Sequence, residues 1–121
     1  RNALSPLILW HAIQSMGHEG FRALVCESLA LADYAIAAFG RRGITAWRNR
    51  NSITVVFPRP STALLYRWQM APEHGIAHII TLPHVTRPTI DRLVEEVAAD
   101  LSSHPAPPDG GTRKELAHAA D

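Results

Sequence analysis

The run Arg48-Asn49-Arg50-Asn51-Ser52 sets guanidinium, amide and hydroxyl groups side by side between Trp47 and the apolar stretch Ile53-Thr54-Val55-Val56-Phe57. Such a run is either a plain hairpin loop or the polar edge of an active site, and residue types alone leave both readings open. Seven histidines raise a second chemistry, metal binding, with His74, His78 and His84 the closest set. Their spacing does not suit it. His74 falls in a loop, His78 and His84 on or beside a strand, and no helical histidine pair with a nearby carboxylate occurs. No metal site is expected.

Hydrolase and nucleotide chemistry find no better footing. There is no Gly-x-Ser-x-Gly elbow to present a serine, and Cys26 has no local catalytic signature. The glycines fall at helix ends or near the carboxy end, so none forms a phosphate-cradling loop after a strand. Trp10, Trp47 and Trp68, with Tyr34 and Tyr66, are spaced as core or interface aromatics and not as a stacking platform on one sheet face.

The elements that must position these groups can be read from punctuation and periodicity. Ser5 before Pro6 predicts a helix start, with a helix to about Met16. Gly17 and Gly20 predict a break. Phe21, Leu24, Val25, Leu29, Ala32, Ile36 and Phe39 then recur at helical spacing, and Gly40 to Gly43 close that helix. Ile44–Trp47 and Ser52–Phe57 are rich in β-branched and aromatic residues and predict an antiparallel hairpin, with Ile53, Val55 and Phe57 facing the core. Ser61 caps a short helix to about Met70. Ile76–Leu82 reads as a third strand, and Thr86 caps a last helix whose apolar stripe runs from Ile90 to Leu101 with its acidic residues pointing outward. From Ser103 the chain is rich in Pro, Gly and Ala and is expected to be disordered. The order α, β, β, α, β, α predicts an α+β fold, a small and mostly antiparallel sheet with helices on one face.

Composition narrows the partners. Twelve basic residues against eleven acidic ones give no block of like charge, so neither nucleic acid nor a membrane surface is indicated. No apolar run is expected to approach the ~18 residues of a membrane span. The single cysteine, Cys26, lies in an apolar helical pattern, which predicts an inert buried thiol and a reducing, cytoplasmic setting. The chain opens on Arg1 and not on Met, which suggests that further sequence precedes it. Eleven of the basic residues are arginine, and the only lysine is Lys114.

Four phrases in order, "RNALSPLILWHAIQSMG", "AWRNRNSITVVFPRP", "YRWQMAPEHGIAHIITLPHVT" and "IDRLVEEVAADL", resemble the carboxy-terminal region of pyridoxal-phosphate-dependent group II amino-acid decarboxylases of the histidine decarboxylase type. The resemblance spans Arg1 to about Leu101 and is most specific in the "WRN", "NSITVVFP" and "AHIIT" segments. "RWQMAPEHGIAHIITLPHVT" also looks like the related serine decarboxylases. One departure stands at Ala3 and Leu4, where histidine decarboxylases usually carry Gly-His.

The resemblance implies a fold-type I enzyme, homodimeric, that decarboxylates an L-amino acid, histidine first, to its amine. Residues 1–102 would be its small carboxy-terminal domain and 103–121 a tail. The large domain, with cofactor and catalytic groups, would lie ahead of Arg1. Lys114, in the expected tail, cannot serve as the Schiff-base lysine of the family, so no catalytic residue is expected in this chain and its cofactor contacts stay unassigned. Ser52 matches the family's serine at the start of "SITVVF" and is implied near the substrate, with Arg1 and Asn2 at the domain junction. His78 is a weaker member of the set, because a histidine in an apolar strand is more often a core residue bonded to backbone. For Ser52, Arg1 and Asn2 the rival is an ordinary surface role, and Arg48 and Asn49 are expected only to shape the turn. A stand-alone α+β ligand-binding or interaction module without catalysis is the competing reading of the whole.

Overall fold

The computed structural model describes residues 3–104. Its first element, α1 (Leu4–Arg41), joins the two expected helices end to end across one non-helical residue, Gly17. With φ 61° and ψ −176°, Gly17 occupies a region that side chains with a Cβ enter only under strain. Gly20 lies within the regular helix beyond it, and a Cβ there would come within 2.9 Å of Cβ of Met16. The helix begins earlier than expected: Ala3 is its N-cap, no side chain caps it, and Ser5 and Pro6 fall inside the first turn. Pro6 still loses nothing there, since first-turn N–H groups lack helical partners. At the other end Gly43, at φ 72°, donates to the Gly40 carbonyl while Ile44 donates to that of Phe39, the double bond of a Schellman ending.

The buried face of α1 is made of Ser28, Leu31, Ala32, Ala35, Ala38 and Phe39. Of the expected stripe only Ala32 and Phe39 belong to it. The alanines let the helix approach the sheet closely, while Leu24, Leu29 and Ile36 flank the contact half-buried and Phe21 and Val25 are exposed. The same rotation turns Cys26 outward, so it is an exposed thiol and not the buried one expected. By length and composition α1 could also cross a membrane. This differs from the expectation, because α1 stays apolar on average although His11, Gln14, His18, Glu19 and Arg22 interrupt it. Only 28% of its apolar window is buried, and the buried residues all lie in its second half.

The sheet has three antiparallel strands in the order β1, β3, β2. These are β1 (Thr54–Pro58), β2 (Ala71–Glu73) and β3 (Ile76–Ile80), with α2 (Thr62–Trp68) between the first two. Val55 and Phe57 of β1 lie opposite Ile79 and Ala77 of β3, and Val55, Phe57 and Ala77 are fully buried. Phe57 stacks on Phe39 of α1 with ring centroids 4.6 Å apart. The expected alternation therefore holds and puts α1 and the last helix, α3 (Arg87–Ser103), on one face. The expected hairpin between Ile44–Trp47 and Ser52–Phe57 does not form as such. Its first arm is reduced to one bridge, Trp47 with Val56, whereas the hairpin of the fold is β2 with β3, turning at His74 and Gly75. Ala71-Pro72-Glu73 carries none of the β-branched residues that announce a strand, and its pairing is supplied by β3.

Ser61 caps α2 as expected, its Oγ accepting from the Leu64 N–H, and Asp100 of α3 accepts from both the Ser61 hydroxyl and its N–H at 2.6 Å. The other acids of α3 also reach neighbouring elements instead of pointing outward. Asp91 accepts from the Tyr34 hydroxyl at 2.7 Å, Glu95 pairs with Arg42, and Glu96 takes the Trp68 indole N–H at 2.8 Å. A stripe seen as solvated by periodicity thus binds α3 to α1 and α2. Ser103, the first residue of the expected tail, closes α3; the remainder from 105, Lys114 included, lies outside the described residues.

Candidate active site

The polar run sits in the loop that the Trp47–Val56 bridge closes. Trp47 and Val56 exchange both N–H to carbonyl bonds, at 2.9 and 2.8 Å. Within the loop the Ser52 N–H donates to the Asn49 carbonyl at 3.1 Å, closing a turn over Arg50 and Asn51. Asn51 stands at φ 60°, a conformation asparagine tolerates better than most residues because its short side chain bonds locally. Ser52 is half-buried, and its Oγ accepts from the Thr54 N–H at 3.1 Å. The hydroxyl proton has no acceptor among the described residues.

Arg48 anchors this turn to the body of the domain. Its Nε donates to Asp33 of α1 at 2.9 Å, with Nη2 2.8 Å from the same carboxylate oxygen. Nη1 is 3.4 Å from the carbonyls of both Asn49 and Ser52. No sequence motif announces the pair, since Asp33 is one of several charged residues on a helix and the contact forms only when α1 docks on the sheet. Arg50 projects from the turn with no ion-pair partner among the described residues.

His78 is the midpoint of β3, paired with Val56 on one side and Ala71 on the other. It is half-buried on the sheet face opposite the core, where Thr54, Val56 and Ile80 also point, and its imidazole makes no hydrogen bond among the described residues. The backbone bond expected of a core histidine is absent. Ser52 precedes the position opposite His78 by four residues, roughly 13 Å at about 3.3 Å per residue. Ser52, in the turn before β1, is therefore well separated from His78 and not in contact with it. Arg1 and Asn2 lie outside the described residues. Among the described residues no three of His, Cys, Asp and Glu come together as metal ligands do.

Comparison with known proteins gives this face a context. No family model matches the chain. It is 42% identical over 107 residues to histidine decarboxylase of Morganella morganii, covering 88% of this chain and 28% of that enzyme. With histidine decarboxylase of Pseudomonas fluorescens the identity is 43% over 101 residues, 83% of this chain and 25% of the relative. Among solved structures, L-methionine decarboxylase from Streptomyces sp. 590 superposes with a TM-score of 0.71 at 27% identity, over 88% of this chain and 24% of that one. The chain thus spans about a quarter of the length of the relatives it matches. Over that length it is similar in sequence to histidine decarboxylases and in fold to L-methionine decarboxylase.

Proposed function

We propose that this chain is the carboxy-terminal small domain of a pyridoxal-phosphate-dependent L-amino-acid decarboxylase, cytoplasmic and homodimeric, that converts histidine to its amine and carbon dioxide. The identity of 42% with the Morganella morganii enzyme over 107 residues carries the reading. The fold shared with L-methionine decarboxylase supports decarboxylation and keeps a different side chain as the second reading of the substrate. The Ala3-Leu4 departure from Gly-His favours that second reading.

The described residues do not fit pyridoxal phosphate. Its Schiff base needs a lysine amine, and the chain's only lysine, Lys114, lies beyond them. The cofactor is assigned to the part of the protein outside this chain. What the described residues offer is a substrate-facing edge: the Ser52 hydroxyl, free to donate to an acceptor on the amino acid, with His78 well separated from it on β3. Arg1 and Asn2 complete the proposed set.

The full-length protein, supplied with pyridoxal phosphate, should release amine fastest from histidine in a panel with serine, valine and methionine. Fastest release from another of these moves the substrate, and no amine from any overturns the reading. Ser52→Ala should lower kcat/KM about tenfold, the effect of one hydrogen bond of ~1.4 kcal/mol. Unchanged kcat and KM would remove Ser52 from the site.

A further inference from the structure

Arg48 stands apart among the paired arginines. Its side chain is 19% exposed, against 51%, 64% and 68% for Arg42, Arg67 and Arg92. A cation withdrawn this far from water needs several acceptors, and Arg48 has them on both edges of its guanidinium. One edge faces the Asp33 carboxylate at 2.8 and 2.9 Å; the other faces the Asn49 and Ser52 carbonyls, each at 3.4 Å. Those carbonyls belong to the first and last residues of the turn. One planar group thus ties both ends of the turn to a helix that is rigid through its buried face.

The geometry points to Arg48 as a positioning residue: by fixing the Asn49–Ser52 turn to Asp33, it sets the direction in which Ser52 offers its hydroxyl to the amino-acid substrate. The inference rests on the placement of Ser52 beside the substrate proposed above. The loop needs such a tie. Its base is held by one bridge, Trp47 with Val56, and its tip carries the positive φ of Asn51. The two 3.4 Å bonds are long, and the partner Asp33 side chain is 64% exposed, so the contact is screened and adds little to global stability. Its effect is local aim. A lysine keeps the charge but lacks the two-edged donor set, so it can satisfy Asp33 or the carbonyls and not both.

Arg48→Lys in the full-length protein is expected to lower kcat/KM about tenfold, because small displacements of a positioned group are costly in rate. Its melting midpoint should stay at the wild-type value. The same change made in Ser52→Ala should cost nothing further, since the aim of a missing hydroxyl cannot matter. No loss in the single variant, or an undiminished loss in the Ser52→Ala background, overturns the inference. Amide hydrogen exchange supplies a readout independent of activity. The Ser52 and Thr54 amides should exchange faster in Arg48→Lys, and wild-type rates there would refute the tie. If the unaltered protein releases no amine from any amino acid, the functional reading fails, and exchange alone then decides whether Arg48 holds the turn.

Discussion

Ser52 and Thr81 show what a single residue can and cannot disclose. Ser52 announces itself through its place, a small polar residue between an Asn/Arg turn and a β-branched strand, and its Oγ does make the local bond to Thr54 that such serines favour. Thr81 reads as the end of an apolar strand, yet it is fully buried and bridges the sheet to α1. Its Oγ1 lies 2.9 Å from the Ser28 carbonyl and 3.0 Å from that of Ile53, while its N–H also donates to Ile53. Those partners are 53 and 28 residues away, beyond the reach of any local signal. Thr81→Val keeps the shape and removes the donor, leaving a buried carbonyl short of a partner. It should lower unfolding free energy by about 1 to 3 kcal/mol, read as a smaller denaturant midpoint at unchanged m-value. A midpoint equal to wild type would mean that the hydroxyl is not exchanged for water on unfolding in any way that matters.

Elements were legible where local chemistry decides them and not where a neighbour does. Gly17, Gly43 and Ser61 mark real breaks and ends because each acts on its own turn, whereas Thr86 stands at the start of α3 without the expected side-chain cap, its Oγ1 lying 2.9 Å from that of Thr89. The face of α1 that enters the core was misjudged, because hydrophobicity favours bulky residues while close helix–sheet contact favours the alanines at 32, 35 and 38. Likewise β2 exists because β3 pairs with it. The carboxylates of α3 were invisible as contacts for the same reason, and Tyr34 with Asp91 is the clearest case. The hydrogen bond to Asp91, reinforced by partial burial and the nearby negative charge, raises the Tyr34 hydroxyl above the ordinary 10.0, with Arg41 opposing. Folding thus tightens the hold on that proton. The resulting stability is fully present below pH 10 and is lost as pH rises through the higher folded value. Tyr34→Phe should lower the urea midpoint at pH 8 and, relative to wild type, flatten the decline above pH 10. A variant with the wild-type alkaline decline would show that another group sets it.

At the scale of the whole molecule the core and the apolar surface occupy different ends of α1. Every buried residue of that helix lies at or beyond Ser28, whereas Leu4, Leu7, Ile8, Leu9 and Trp10 are each 57–59% exposed. The stretch before Gly17 is about 20 Å long at 1.5 Å per residue, and little of it touches the rest of the domain. A helix so short is marginal in water by itself, and contiguous apolar surface of this extent is rare on monomers. The fold could be read from turn residues and alternation, but this imbalance could not, because periodicity reports which residues are apolar and not what they meet. The 121-residue chain taken alone should therefore self-associate through its first helical segment. Sedimentation velocity should show species larger than 13.3 kDa, growing with concentration. Replacing Leu7, Trp10 and Ile13 together with glutamine should return the chain to a monomer without lowering its melting midpoint, since none of the three is buried in the core. A wild-type chain that stays monomeric at tens of micromolar would overturn the expectation. Association that survives the triple substitution would move the sticky surface to the open sheet face around Val56, His78 and Ile80.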